Sequence, residues 1–402
     1  MGLVIVENSQ NKRSYLLSGI ILFIILIFCM NQIYKSRFGY FETEGSLNYP
    51  HPDADAFLLP NNRILILGDT LNNIPSEIYD INDKISEIYN FKDNLIHSPE
   101  GVLLDDNRLF LLRTCVNSAC GKSVLYNLNS NKIDYIYDNT FNTSNVSLNN
   151  VLLDYLLLNG QNVFYISHKQ NNQYEIGIFK TKAQYKQIHL TNEDLNYPKS
   201  IQINDNQILV MSIRNAYLFD IKHNKLTKLN FSYGNSPNPN VNNQRISHLI
   251  KLKDKIFIFM YLADSNFNGY NLTLKFDIKS KEFSKLSSSS IIRDNDFMGV
   301  SHVSSAVNLN NKYVLLNGGL AQASRLVGLL GGHYIERNSA EIYDVRKNKF
   351  YRIVNMPYAK FGHRSILINN NEIYIIGGKT CKLLGNFSGE EKRKIIKFRI
   401  LR

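Results

Sequence analysis

The chain of 402 residues has no tryptophan and only four cysteines. Beyond Arg37 no stretch carries the 3.6-residue apolar period of an amphipathic helix. A helical bundle and a doubly wound α/β sheet are therefore both excluded. Four cysteines cannot staple a domain of this size, so a small disulfide scaffold is excluded as well. The formal charge is +12, yet lysines come one or two at a time through polar turns. No basic stripe with interleaved aromatics and no groove-entering helix is present, so no nucleic-acid partner is expected. Sialidase boxes, a G-x-S-x-G elbow and a phosphate loop are all missing. Cys115 and Cys120 lack a second Cys or His pair at zinc spacing, and neither a metal nor a cofactor is expected.

One segment is of another kind. "YLLSGIILFIILIFCM", Tyr15 to Met30, is uncharged and apolar, with Lys12 and Arg13 before it and Lys35 and Arg37 after. Its length and composition suit a bilayer-crossing helix over residues 15–34, behind a short tail at 1–14. No small-residue cleavage site follows, and Phe28 stands where a lipoprotein box wants a small residue before Cys29. The reading is thus an uncleaved signal-anchor. With two positive charges on each side the charge rule does not settle orientation; a short basic tail is expected to stay in the cytoplasm, which would export everything after it. In an exported domain Cys115 and Cys120 ("RTCVNSACGKS") would form one local bridge; in the cytosol they would be ordinary thiols.

The remainder is written in short runs of Ile, Leu, Val, Phe and Tyr divided by Asn, Asp, Lys, Ser and Gly. That is the pattern of strands and turns. A unit recurs at both ends of the chain. "SEIYD" (Ser76 to Asp80) matches "AEIYD" (Ala340 to Asp344), and "NNRILILGD" matches "NNEIYIIGG". Seven such second strands are present. In four units the aromatic of the third strand is followed seven residues later by another large apolar residue. These pairs are Tyr126 and Ile133, Phe219 and Leu226, Phe276 and Phe283, and Tyr343 and Phe350; Tyr79 holds the aromatic position of the first unit. Four-stranded units repeated at this interval predict a seven-bladed β-propeller over residues 38–402. The last unit lacks a fourth strand, whereas residues 39–47 read as a fourth strand without its first three. Completing the last blade with 39–47 would close the ring.

The chain resembles the Kelch repeats. Gly377-Gly378 and Gly318-Gly319 match that family's double glycine at the end of the second strand, and Gly68-Asp69 half matches. Phe350 and Phe283 stand where the family has tryptophan. The resemblance is strongest in the end units and thin in the third and fourth. It implies an all-β, Kelch-type propeller that works by interaction rather than catalysis. The galactose-oxidase-like copper enzymes share this fold, but their tyrosine-cysteine crosslink has no counterpart among Cys115, Cys120 and Cys381.

In such a blade the first-to-second and third-to-fourth turns share one face, and here they are short. The longer loops gather on the opposite face, above all Leu320 to Ala340. Within it Arg325, His333, Tyr334, Glu336 and Arg337 are residues suited to contacting a protein or glycan partner. His97, His248, His302 and His363 fall near the starts of first strands, where their expected role is structural hydrogen bonding. The expectation is a membrane-tethered binding or scaffold module, with the question of an enzymatic role left open. The alternative is an extracytoplasmic sugar mutarotase or epimerase of the Kelch-propeller type, which resemblance to the bacterial examples allows. That chemistry needs Arg, His and Glu converging at the mouth of the axis.

Overall fold

A computed structural model describes residues 9–69, 73–92, 95, 97, 98, 100–116, 119–137, 151–169, 173–195, 197–232, 245–263, 269–289, 291, 304–322, 334–336, 338–379 and 393–401. Helix α1, Ser9–Ser36, opens the chain; its stretch Leu17–Ser36 has a mean hydropathy of 2.2 and none of it is buried. At 20 residues that stretch is long and apolar enough to cross a bilayer core.

Seven four-stranded antiparallel sheets follow, arranged as the blades of a propeller. Their inner strands are Ala56–Leu59, Gly101–Leu103, Val151–Leu158, Lys199–Asn204, Arg245–Leu252, Ser304–Leu309 and Phe361–Asn369 for blades 1 to 7. Six blades order their strands as the chain does. Blade 7 takes three strands from the end of the chain, and its outer strand is Gly39–Ser46, paired antiparallel with Lys394–Ile400. The third and fourth blades, thin in sequence pattern, have the same complete ladders as the rest.

The core lies between blades rather than along the axis. Leu209 and Met211 of blade 4 pack with Ile256, Ile258, Leu272 and Leu274 of blade 5, and the same arrangement recurs around the ring. Neither blade could cover these faces alone. The seven-residue aromatic spacing becomes a cross-strand pair: Tyr126 faces Ile133, Phe219 faces Leu226, Phe276 faces Phe283 and Tyr343 faces Phe350. The last two pairs hold their rings 4.8 and 4.7 Å apart. Tyr79, Tyr126, Phe219, Phe276 and Tyr343 are fully buried.

The turn between third and fourth strands explains why the aromatic is followed by Asp or Asn. Asp277 Oδ1 accepts the amides of Lys279 and Ser280 at 3.0 and 3.2 Å, and Lys281 then takes a φ of 59°. Asp80, Asn127 and Asp344 build the same turn. A short side chain that mimics the backbone makes the hairpin tight. The double glycine answers a different need. A Cβ on Gly318, whose φ is +66°, would lie 2.5 Å from the Lys360 carbonyl oxygen, where the link between blades passes. Gly68, at φ outside that region, is needed because a Cβ there would meet the Ile74 carbonyl oxygen at 2.2 Å.

Two buried lysines serve blade 7. Lys397, 3% exposed, sets its ammonium 2.8 Å from Glu44 and 3.2 Å from Glu42 of the closing strand. Lys360 is wholly buried and donates to the Gly377 carbonyl at 2.9 Å. Burial pushes its ammonium down to about 7. Two outcomes follow from these placements. Lys397→Ala leaves two carboxylates facing a void at the seam and should cost about 3–5 kcal/mol in chemical denaturation. The folded state gives up the Lys360 proton near pH 7, whereas the unfolded chain keeps it until near pH 10.5. Stability should therefore rise with pH across that window, by at most about 1.4 kcal/mol per unit. Lys360→Met should remove the slope, measured as denaturation midpoints from pH 6.5 to 10.

Candidate functional site

Each inner strand begins on the face that carries the blade-to-blade links and the second-to-third loops. In six of the seven blades a charged residue stands at or near that start: Asp55, Glu100, Asp154, Lys199, Arg245 and Arg364. Because inner strands converge on the axis, these groups meet there.

Asp55 is the hub. Its Oδ1 accepts Nε of Arg364 from blade 7 at 2.9 Å. Its Oδ2 accepts the Gly101 amide of blade 2 at 2.9 Å and the Tyr155 hydroxyl of blade 3 at 2.5 Å. One carboxylate reaching blades 7, 2 and 3 from the start of blade 1 can only sit at the centre of the ring. Beside it Arg113 Nη2 lies 2.6 Å from Glu100 Oε1, and between blades 3 and 4 Lys199 Nζ lies 3.7 Å from Asp154 Oδ1. The side chains of Glu100, Arg113, Lys199 and Arg364 retain 17–23% exposure, so the cluster is open to solvent.

Arg113 is placed by strain. It lies in the second strand of blade 2 with a φ of 50°, at a register shift between Leu111 and Thr114. A non-glycine residue held in that region at a bulge re-aims its side chain, here toward the carboxylate of Glu100. Three buried polar atoms of the cluster have no hydrogen-bond partner among the described residues: Glu100 Oε2, Arg113 Nε and Asp154 Oδ2. Groups buried and unpaired in this way are uncommon in folded proteins.

The electrostatics follow from burial against pairing. Burial raises the Glu100 carboxyl above its ordinary range, with Arg113 pulling the other way. Burial likewise raises Asp154, opposed by Lys199. The Tyr155 hydroxyl is pushed well up by burial and by the Asp55 carboxylate. Burial disfavours the Arg364 guanidinium, yet Asp55 holds it above its usual value.

The histidines near strand starts serve the frame. His363 Nε2 is 2.6 Å from Asn317 Oδ1, His248 Nε2 is 2.8 Å from Ser304 Oγ, and His97 Nδ1 is 2.9 Å from the Ser98 carbonyl. A fourth, His51, reaches Glu77 at 2.8 Å. Glu77 also accepts the amides of Asn48 and Tyr49 at 2.7 Å, which ties the link after the closing strand to blade 1. Burial works to raise the Glu77 carboxyl, but hydrogen bonds from His51, Ser86 and the Asn48 amide bring it below its ordinary value. His302 lies outside the described residues.

Of the loop residues singled out in the sequence, Arg325, His333 and Arg337 lie outside the described residues. Tyr334 and Glu336 belong to a short strand, Tyr334–Glu336, that pairs with Leu320–Gln322 on the loop-rich face. Cys115 and Cys120 are cross-strand partners at the end of the blade 2 hairpin. The axial cluster itself was not anticipated. Its signal was a charged residue at strand starts, which in one dimension is indistinguishable from an ordinary solvated strand end.

No protein-family model matches the chain, and no curated protein matches it in sequence. Among solved structures it is similar to a fungal alcohol oxidase of the AA5 family, determined in complex with copper. The TM-score is 0.58 at 11% identity, over 90% of this chain and 76% of that one. The likeness is one of fold. Among the described residues no group of three or more His, Cys, Asp or Glu side chains is placed to hold a metal ion.

Asp55→Ala would strand Arg364 and leave Tyr155 and the Gly101 amide without their acceptor. We expect a loss of about 3–5 kcal/mol, read by chemical denaturation. Arg113→Ala keeps the strained φ of 50° and unpairs one oxygen of a carboxyl that is 17% exposed, so it should cost less than half as much.

Proposed function

We propose that the protein is a membrane-tethered, Kelch-like glycan-binding propeller whose ligand enters from the loop-rich face and rests on the axial cluster. The observation that carries this reading is the set of buried, unpartnered polar atoms on Glu100, Arg113 and Asp154. Glu100 Oε2 offers an acceptor and Arg113 Nε a donor on one ion pair, with Asp154 Oδ2 a second acceptor in blade 3, which suits a ligand dense in hydroxyl groups. Charge supports the same class. Asp55, Glu100 and Asp154 are set against Arg113, Lys199, Arg245 and Arg364, a net charge of one, which favours a polyol over a highly charged ligand. Helix α1 supplies the tether, and a propeller exported behind it would meet glycans outside the cytoplasm. In that setting the register that sets Cys115 opposite Cys120 supports one local disulfide.

A second reading is favoured by Glu100. A carboxyl raised by burial, beside a guanidinium and within a cluster that includes Tyr155, suits proton transfer at a sugar carbon or ring oxygen. This would make the protein a mutarotase or epimerase of the Kelch-propeller type.

Both readings are tested on the full chain in neutral nanodiscs with a glycan array, followed by calorimetry on the best ligand. Arg113→Ala should weaken binding at least about tenfold, the loss of one charge-assisted hydrogen bond, while the distant Lys84→Ala should not. Binding that Arg113→Ala leaves unchanged would move the contact to the long loops and to a protein partner. Exchange of anomers or epimers followed by NMR, abolished by Glu100→Gln, would select the enzymatic reading.

A further inference from the structure

The point at which α1 joins the propeller fixes which face looks toward the membrane. The helix ends at Ser36 and the closing strand begins at Gly39, so only Arg37 and Phe38 lie between them. Gly39 pairs with Ile400, at the end of the blade where the short turns lie, and the Leu401 amide donates to the Phe38 carbonyl at 3.1 Å. The junction is not a free hinge. The Arg37 guanidinium stacks over Tyr34 of the helix, Phe38 and Tyr351 of blade 6, with its carbon 3.9, 4.6 and 4.4 Å from their ring centroids. Phe38 also meets Tyr313 edge-on at 5.5 Å. The helix therefore leaves from the tight-turn face beside blade 6, and the axial mouth opens on the opposite side.

The lysines that the sequence scatters singly through turns collect on that same face. In blades 5 and 6 the turns carry exposed Lys253, Lys279, Lys281, Lys312, Arg346 and Lys347. Among the acids between them, Asp277 and Asp344 are turned back onto the amides of their own turns, and Asp254 lies 3.6 Å from Lys279. Glu282 stands exposed. The turns of blades 1 and 2, by contrast, interleave Asp83, Asp105 and Asp106 with their basic residues. The turns of blades 5 and 6 thus set six basic side chains against four acidic ones beside the helix exit.

We propose that the tight-turn face of blades 5 and 6 docks on the anionic headgroup surface of the bilayer that α1 crosses, holding the axial mouth away from the membrane. The proposal rests on the reading of α1 as a membrane span. Juxtamembrane basic residues are attracted to anionic lipid, by about fivefold in affinity for each one near the surface. A docked face turns a tethered propeller into one of fixed orientation, with its site presented outward. Screening limits the attraction to about a Debye length, ~8 Å at physiological salt, so only turns held close to the headgroups contribute.

The test uses the full chain with a fluorophore placed at Ser280, in the blade 5 turn, through an encoded non-natural amino acid. Flotation is measured on phosphatidylcholine vesicles and on vesicles with about one third phosphatidylglycerol. Energy transfer from Ser280 to a headgroup dye is then read on both. The expected result is flotation on both, with transfer high only on anionic vesicles. It should fall in 0.5 M salt and in the Lys253→Glu, Lys281→Glu, Lys347→Glu variant. Transfer equal on the two lipids, or unchanged in the variant, overturns the proposal. Flotation only on anionic vesicles, lost in the variant, rejects α1 as the tether while upholding the docking face. Flotation on neither rejects both.

Discussion

Every blade of this protein has two apolar faces, and only its neighbours can cover them. A row of such sheets has two open faces at its ends, so stability requires the row to bend into a ring and its ends to meet. The ladder between Gly39–Ser46 and Lys394–Ile400 performs that meeting, making one sheet of both ends of the chain. Lys397 between Glu42 and Glu44, and Tyr79 of blade 1 packed with Tyr374 of blade 7, weld the seam on either side. A backbone ladder leaves no edge at the joint. The other ladders would stand without it as local hairpins, but their outer faces would not be buried.

Closure also creates the site. Driving seven inner strands toward one axis leaves too little room for large apolar layers there and places the strand starts within reach of one another. Asp55 shows the consequence, since it bonds groups from three blades that do not all adjoin its own. The charges at the axis are stable because they are paired, and they are usable because pairing is incomplete at Glu100, Arg113 and Asp154. Structural polar groups such as Glu77, with every oxygen occupied by link amides and side chains, sit farther out and offer nothing to a ligand.

Parts of this arrangement are legible in the residues. The Tyr-Asp pairs report a buried ring followed by a side-chain-capped turn, and the seven-residue spacing reports the cross-strand partner that the hairpin delivers. Gly318-Gly319 and Gly377-Gly378 report close approach of a neighbouring link. The site was far less legible. In the sequence the residues of the long loop between Leu320 and Ala340 stand out instead, because long loops on a rigid scaffold commonly bind. Arg113 looked like one more arginine in a strand, since a bulge cannot be read from alternation that it interrupts. The +12 charge, diffuse along the chain, leaves a net basic surface on the turns of blades 5 and 6, which the fold brings beside the helix exit.

What the residues alone determined is local and periodic. Apolar runs of strand length, turn residues that tolerate positive φ, and an aromatic at constant spacing specify a blade, and repetition specifies a ring. An uncharged apolar run of sufficient length specifies the helix at the start. The tertiary structure decided everything that depends on bringing distant positions together. It joined Asp55 to Arg364 across 309 positions of sequence, bent the second strand of blade 2 to aim Arg113 at Glu100, and set helix and axial mouth on opposite faces. The physical reason is that strand propensity and turn chemistry act over a few residues, whereas side-chain charges act through space, and the ring alone sets those distances.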